Sequence, residues 1–168
     1  MELKLAIYPE PVLRIKAMPI AEVTPEIREL ALAMLKYMAA EEGIGLAAPQ
    51  VGKSLRLLVI GHDEAGIPEQ VLVNPRLISS SGMVPMTEGC LSFPGIFATL
   101  NRAERIVVEA LDLNGEKVTI EADGLLARVI LHEMDHLDGR VFIDLFSPAQ
   151  RIKWHGALKE LERNYRPS

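Results

Sequence analysis

The sequence predicts an α+β fold: mostly antiparallel sheets around a buried central helix, with an N-terminal helix and a C-terminal helix. Three observations carry this. An apolar stripe with helical spacing runs through residues 24–38. Two β-rich runs, 106–113 and 117–122, flank Asn114-Gly115. The segment 124–138 is apolar around most of a helix.

Thr24 is an N-cap residue, and Pro25 suits the first helical position. Ile27, Leu30, Ala31, Met34, Leu35 and Met38 then recur at spacings of three and four, and Gly43 is a natural stop. Residues 43–52 carry no charge, three glycines and one proline, and read as a tightly packed loop. Residues 55–60 and 71–73 read as short buried strands, with a turn at Ser79-Ser80-Ser81-Gly82. Residues 88–95 read as a loop. Asn114-Gly115 is the strongest short hairpin signal. Asp123 can cap the central helix, which Gly139 ends. Leu125, Leu126, Val129, Ile130, Leu131, Met134 and Leu137 cover most of its circumference, so it is expected to be buried. Val141 to Ile143 reads as a strand. Pro148 opens a last helix, to about Asn164, with Ile152, Leu158, Leu161 and Tyr165 on one side.

The 168 residues suit a single domain, 1–168, and 49% apolar with 24% charged residues is an ordinary globular balance. One cysteine excludes an intramolecular disulfide. No apolar stretch reaches the ~20 residues that span a bilayer, and the first residues lack a signal-peptide pattern. A cytoplasmic protein is expected. The net charge of −5 disfavours general binding to nucleic acid.

The central helix holds His132-Glu133-Met134-Asp135-His136. Residues four apart differ by ~40° around a helix and rise ~6 Å, so both imidazoles project from one face and can share a metal ion. Glu133 lies one step round, where it can act as general base on a water. A buried carboxylate in so apolar a helix needs compensation, which a cation supplies. A catalytic site needs a third ligand. Position 142 is Phe, which excludes the His-Glu-x-x-His-x-x-Gly-x-x-His endopeptidase pattern. Glu160, Glu162, His62, His155 and Cys90 are the alternatives. Cys90 sits in the glycine-flanked segment Glu88-Gly89-Cys90-Leu91-Ser92, where a thiolate could complete a Cys-His-His set.

Three segments in order, Gly45-Leu46-Ala47-Ala48-Pro49-Gln50-Val51-Gly52, Glu88-Gly89-Cys90-Leu91-Ser92 and His132-Glu133-Met134-Asp135-His136-Leu137, resemble the peptide deformylases. The similarity runs from Pro11-Val12-Leu13-Arg14 to the C-terminal helix, and the length suits the bacterial form. The resemblance implies Cys90, His132 and His136 as metal ligands and Glu133 as general base and then acid. It implies that the Gln50 amide and the Leu91 N–H bind the carbonyl oxygen of the substrate. Ile44, Gly45 and Gly89 would hold the peptide main chain, and Leu125 and Val129 would wall the methionine pocket. The implied reaction is hydrolysis of the N-formyl group of N-formylmethionyl nascent polypeptides, releasing formate. The implied cofactor is one divalent metal ion, Fe2+, with Zn2+, Ni2+ or Co2+ also able to bind. One thiolate and two imidazoles suit zinc well.

The sequence departs from common family patterns at Leu131, where Gln often precedes the first histidine, and at Phe93 and Phe97, in place of a smaller aliphatic and of an arginine. The expected partners are formylmethionyl peptides and, transiently, the ribosome; a monomer with no membrane contact is expected. Residues 150–168 carry five basic and two acidic residues, a net +3 that leaves −8 elsewhere. That is the motive for ribosome contact through the last helix.

Overall fold

A computed structural model describes residues 1–167. In chain order the elements are α1 (Pro25–Ala40), β1 (Gly45–Ala47), β2 (Leu57–His62), β3 (Ile67–Ser81), β4 (Val84–Cys90), β5 (Phe93–Arg102), β6 (Arg105–Leu111), β7 (Lys117–Asp123), α2 (Gly124–Leu137) and α3 (Pro148–Asn164). Five strands form one sheet in the order β1-β2-β3-β6-β7, and β4 with β5 forms a separate two-stranded ribbon. Every pairing between these strands is antiparallel. The α+β expectation holds.

The larger sheet is buried on both faces at β2. Side chains alternate along a strand, so Leu58 and Ile60 meet Val129 and Ile130 of α2. Leu57 and Val59 meet Met34 and Met38 of α1. Each large apolar side chain removed from water contributes ~1.5–3 kcal/mol. The apolar stripe of α1 is wholly used in this contact, and Thr24 Oγ1 accepts the Ile27 N–H at 3.3 Å to start the helix. The hairpin over Asn114-Gly115 forms as expected, with Leu111 opposite Lys117.

Several expectations need correction. Residues 43–52 are not a loop throughout: β1 adds to the sheet edge and Ala48–Val51 makes a 3₁₀ turn with Pro49 as its second residue. The serine run is not a turn, because Ser79, Ser80 and Ser81 pair with β6 and the reversal falls at Gly82. Residues 88–95 lie largely in β4 and β5, whose prolines and glycines hide the strand pattern. Asp123 makes no side-chain cap; it is held in register opposite Arg105 as the last residue of β7. Val141–Ile143 is not a strand. The Asp144 carboxylate accepts the Val141 N–H at 3.1 Å and folds Phe142–Leu145 into a 3₁₀ turn. Ile152 faces solvent, 78% exposed, while Leu158 and Leu161 pack against the cluster around Phe142. Among the described residues no helix is long and apolar enough to cross a membrane.

Candidate metal centre

The packing of α2 against the large sheet and of β4–β5 against its end brings the chemistry-bearing residues together. His132 and His136 stand one turn apart on α2, 7% and 1% exposed. Their ring centroids are 5.2 Å apart. Cys90 ends β4 and places Sγ 3.4 Å from His136 Nε2. One donor atom from each of Cys90, His132 and His136 lies within 4.8 Å of the others, and this is the only such cluster among the described residues. The alternatives for a third ligand are elsewhere. Glu160 and Glu162 pair with Arg163 and Lys159 on α3. His62 Nδ1 accepts the Ala65 N–H, and His155 is exposed.

The donor set fits a divalent transition metal. The His132 Nδ1–H donates to Glu88 Oε1 at 2.8 Å, which fixes the tautomer and leaves Nε2 as the free donor. Burial holds His136 well below its ordinary value, so its imidazole is neutral with a lone pair to give. His132 differs: burial opposes its charged form, yet Glu133, Cys90 and Glu88 hold it well above its ordinary value, so a cation binding there would displace its Nε2 proton. One thiolate and two imidazoles match catalytic zinc or ferrous chemistry.

Glu133 faces the same space. It is 4% exposed, and its Oε1 has no hydrogen-bond partner among the described residues. Burial pushes its carboxyl up to about 7, against the opposing charges of His132 and Arg102. A carboxyl at that value can both accept and return a proton near neutral pH. Gln50 serves two purposes. Its Oε1 accepts the Ala47 N–H at 2.9 Å and ties its own turn, while Nε2 points to Cys90 Sγ at 3.6 Å and Ser92 Oγ at 3.2 Å. Leu91 follows Cys90 in the tight turn into β5.

A cavity of about 610 Å³ opens beside these groups. Ile44 and Gly45 line one flank and Gly89 the other, with Leu125 and Val129 as apolar walls. All the residues expected at the substrate are therefore brought together. Gly45 is required sterically: a Cβ there would lie 2.6 Å from Glu133 Oε2 and 2.9 Å from Val129 Cγ1. Of the atypical residues, Leu131 packs against the core between α2 and the sheet. Phe93 is buried between Tyr8 and Phe142 and reaches the cavity wall, whereas Phe97 is 56% exposed at its mouth.

Sequence reasoning missed Glu88, Arg102 and Arg128. Glu88 Oε2 accepts from Arg102 Nε and Arg128 Nη1, each at 2.6 Å, and Oε1 accepts from Arg102 Nη2 at 3.0 Å as well as from His132. Arg102 also reaches Asp135 at 2.8 Å, bracing the helix beside the histidines. One signal was present. Arg128 lies four residues before His132 in an otherwise apolar turn, and a buried guanidinium needs a buried acid.

Comparison with known proteins gives the family. A family model described as polypeptide deformylase matches residues 2–152. A peptide deformylase of Acinetobacter baumannii is 43% identical over 157 residues, 93% of this chain and 89% of that protein. One of Thermodesulfovibrio yellowstonii is 45% identical over 151 residues, 89% and 92% of the two chains. The crystal structure of a peptide deformylase from Legionella pneumophila superposes with a TM-score of 0.90 at 38% identity, covering 99% of this chain and all of that one. The chain belongs to the polypeptide deformylase family.

Proposed function

We propose that this protein hydrolyses the N-formyl group of formylmethionyl peptides and releases formate, using Cys90, His132 and His136 to hold a divalent cation. The observation that carries this reading is the meeting of those three donors with the buried Glu133 carboxyl at one end of an apolar cavity. A cation held there supplies Lewis acidity, which makes a water nucleophilic near neutral pH. Glu133 takes the proton of that water and passes it to the departing amine. The Gln50 Nε2–H, with the Leu91 N–H, donates to the formyl oxygen as it gains charge; one such donor is worth about 3–4 kcal/mol in comparable sites. Ile44, Gly45 and Gly89 offer main-chain groups to an extended peptide, since β1 and β4 are each paired on one side only. Leu125 and Val129 receive the methionine side chain. By family resemblance the ion in the cell is Fe2+.

Anaerobic metal analysis together with a formate assay tests this. About one ion per chain and formate release from formyl-Met-Ala, lost on chelation and restored by Fe2+, Co2+ or Ni2+, is the expected result. A metal-loaded protein that yields no formate would refute the reading.

The setting follows from the substrate. A cytoplasmic monomer acts on new chains, and α3 supplies transient contact with the ribosome. Support comes from the exposed Arg151, Lys153, Lys159 and Arg163, although Lys159 and Arg163 are partly neutralised by their glutamates. Co-sedimentation with ribosomes is expected at low salt and is expected to weaken steeply as salt rises. Binding indifferent to salt would remove this role for α3.

A further inference from the structure

Residues 1–7 belong to no helix or strand, yet this N-terminal arm reaches both turns that carry the proposed oxyanion donors. The Ala6 N–H donates to the Gln50 carbonyl at 2.6 Å, and the Tyr8 N–H donates to the Ser92 carbonyl at 3.0 Å. Gln50 stands in the 3₁₀ turn Ala48–Val51, and Leu91 with Ser92 forms the turn between β4 and β5. Among the described residues no main-chain hydrogen bond joins these two turns directly. The Gln50 side chain links them, with Nε2 donating to Ser92 Oγ at 3.2 Å. The arm is anchored in turn. The Tyr8 ring stacks on Phe93 with centroids 4.9 Å apart, and Ala6 is buried in the same apolar cluster. Leu5 and Ile7, on either side of Ala6, line the main cavity.

We propose that Ala6 and Tyr8 are positioning residues for the reaction: their main-chain N–H groups fix the spacing between the Gln50 amide and the Leu91 N–H, so that both donors meet the same oxyanion. The proposal rests on the deformylase reading, in which those two groups stabilise the developing charge. Such donors act only when preorganised at ~2.7–3.1 Å from the oxygen. They come here from two turns distant in sequence, and a displacement of ~1 Å at a reacting group costs about 100-fold in rate. The Ala47 N–H already holds Gln50 Oε1 at 2.9 Å and sets which end of the amide faces Ser92. What the arm adds is the place of each turn relative to the other. Neither arm hydrogen bond involves Cys90, His132 or His136, so loosening the arm spares the metal ion.

The test is steady-state formate release from formyl-Met-Ala by metal-loaded variants of the full chain. Ala6→Pro removes one of the two N–H donors, and Ala6→Gly keeps it. Ala6→Pro is expected to lower kcat about 10–100-fold, with KM within about threefold and about one ion still bound per chain, while Ala6→Gly stays within about threefold of wild type. Tyr8→Ala keeps its N–H but loses the ring that seats it on Phe93. It is expected to lower kcat about three- to tenfold, and Tyr8→Phe to restore it. A double-mutant cycle reads the route of the effect. On a Gln50→Ala background, Ala6→Pro is expected to cost less than about twofold more, because the donor it positions is already gone. A kcat within twofold of wild type in whichever of Ala6→Pro and Tyr8→Ala folds, or an equal fold-loss with and without Gln50, would overturn the positioning role and leave the deformylase reading standing. No formate from the metal-loaded wild type would overturn that reading and the positioning role with it.

Discussion

Glu133→Gln is expected to lower kcat for formate release by about 10²–10⁴-fold while the protein still binds its metal ion at the same stoichiometry. The amide matches the carboxylate in shape and leaves Cys90, His132 and His136 untouched, so what it removes is the proton acceptor. The carboxyl is the only acid in the cavity with a buried oxygen free of protein partners among the described residues. The pH profile provides a second readout. Burial, against the charges of His132 and Arg102, lifts this carboxyl to about 7, and a cation beside it would stabilise the charged form and pull the value down. The acid limb of kcat/KM is thus expected below pH ~7, and the residual activity of the variant is expected to lose that limb. Stability should move the other way. A carboxyl whose folded value is raised above its ordinary 4.5 withdraws stability as pH rises past that point. Metal-free Glu133→Gln is therefore expected to melt at a higher temperature than metal-free wild type at pH ~8. A variant within tenfold of wild type in kcat would show that another group carries the proton.

How much of this was legible in the residues depends on whether a local pattern carried it. The stripe of α1 and the apolar circumference of α2 predict their helices because one face or all faces are buried, and the sequence period reports that directly. The hairpin at Asn114-Gly115 is likewise a local backbone property. The β4–β5 ribbon is not: its pairing depends on contacts between Val84 and Arg102, and Pro85, Gly89, Pro94 and Gly95 break the residue pattern along it. The same division runs through the site. His132, Glu133 and His136 are placed by helical spacing alone. Cys90 remains one of five alternatives until resemblance is invoked, because only the fold sets a β4 thiol 3.4 Å from an α2 imidazole. Glu88 escaped because its partners Arg102, Arg128 and His132 are 14, 40 and 44 residues away in sequence.

Glu88→Gln is expected to weaken metal binding about 10–100-fold and to destabilise the fold by about 3–5 kcal/mol at neutral pH. Two effects follow from one carboxylate. It orients His132 through Nδ1, so the amide in its place can accept that hydrogen bond only with a weaker, neutral oxygen. It also neutralises two guanidiniums that are 7% and 3% exposed, and the variant leaves both cations buried without their shared acid. The pH dependence separates the second effect from simple misfolding. Burial is the largest influence and opposes ionisation of Glu88, yet hydrogen bonds from His132 and Arg102, with the charge of Arg102, overcome it and hold the carboxyl at about 2. Its folded value is thus below the ordinary 4.5, so the stability it confers is complete above pH ~4.5 and is lost as pH falls through ~2. The depression corresponds to about 3 kcal/mol. Glu88→Gln does not titrate. The stability gap between wild type and variant, measured by urea unfolding of the metal-free proteins, is expected to be widest above pH ~5 and to narrow steadily toward pH ~2. Chelator competition gives the metal affinity independently. A gap that stays constant from pH ~6 to ~3 would show that the Glu88 charge does not hold the two arginines, and an unchanged metal affinity would free His132 from dependence on it.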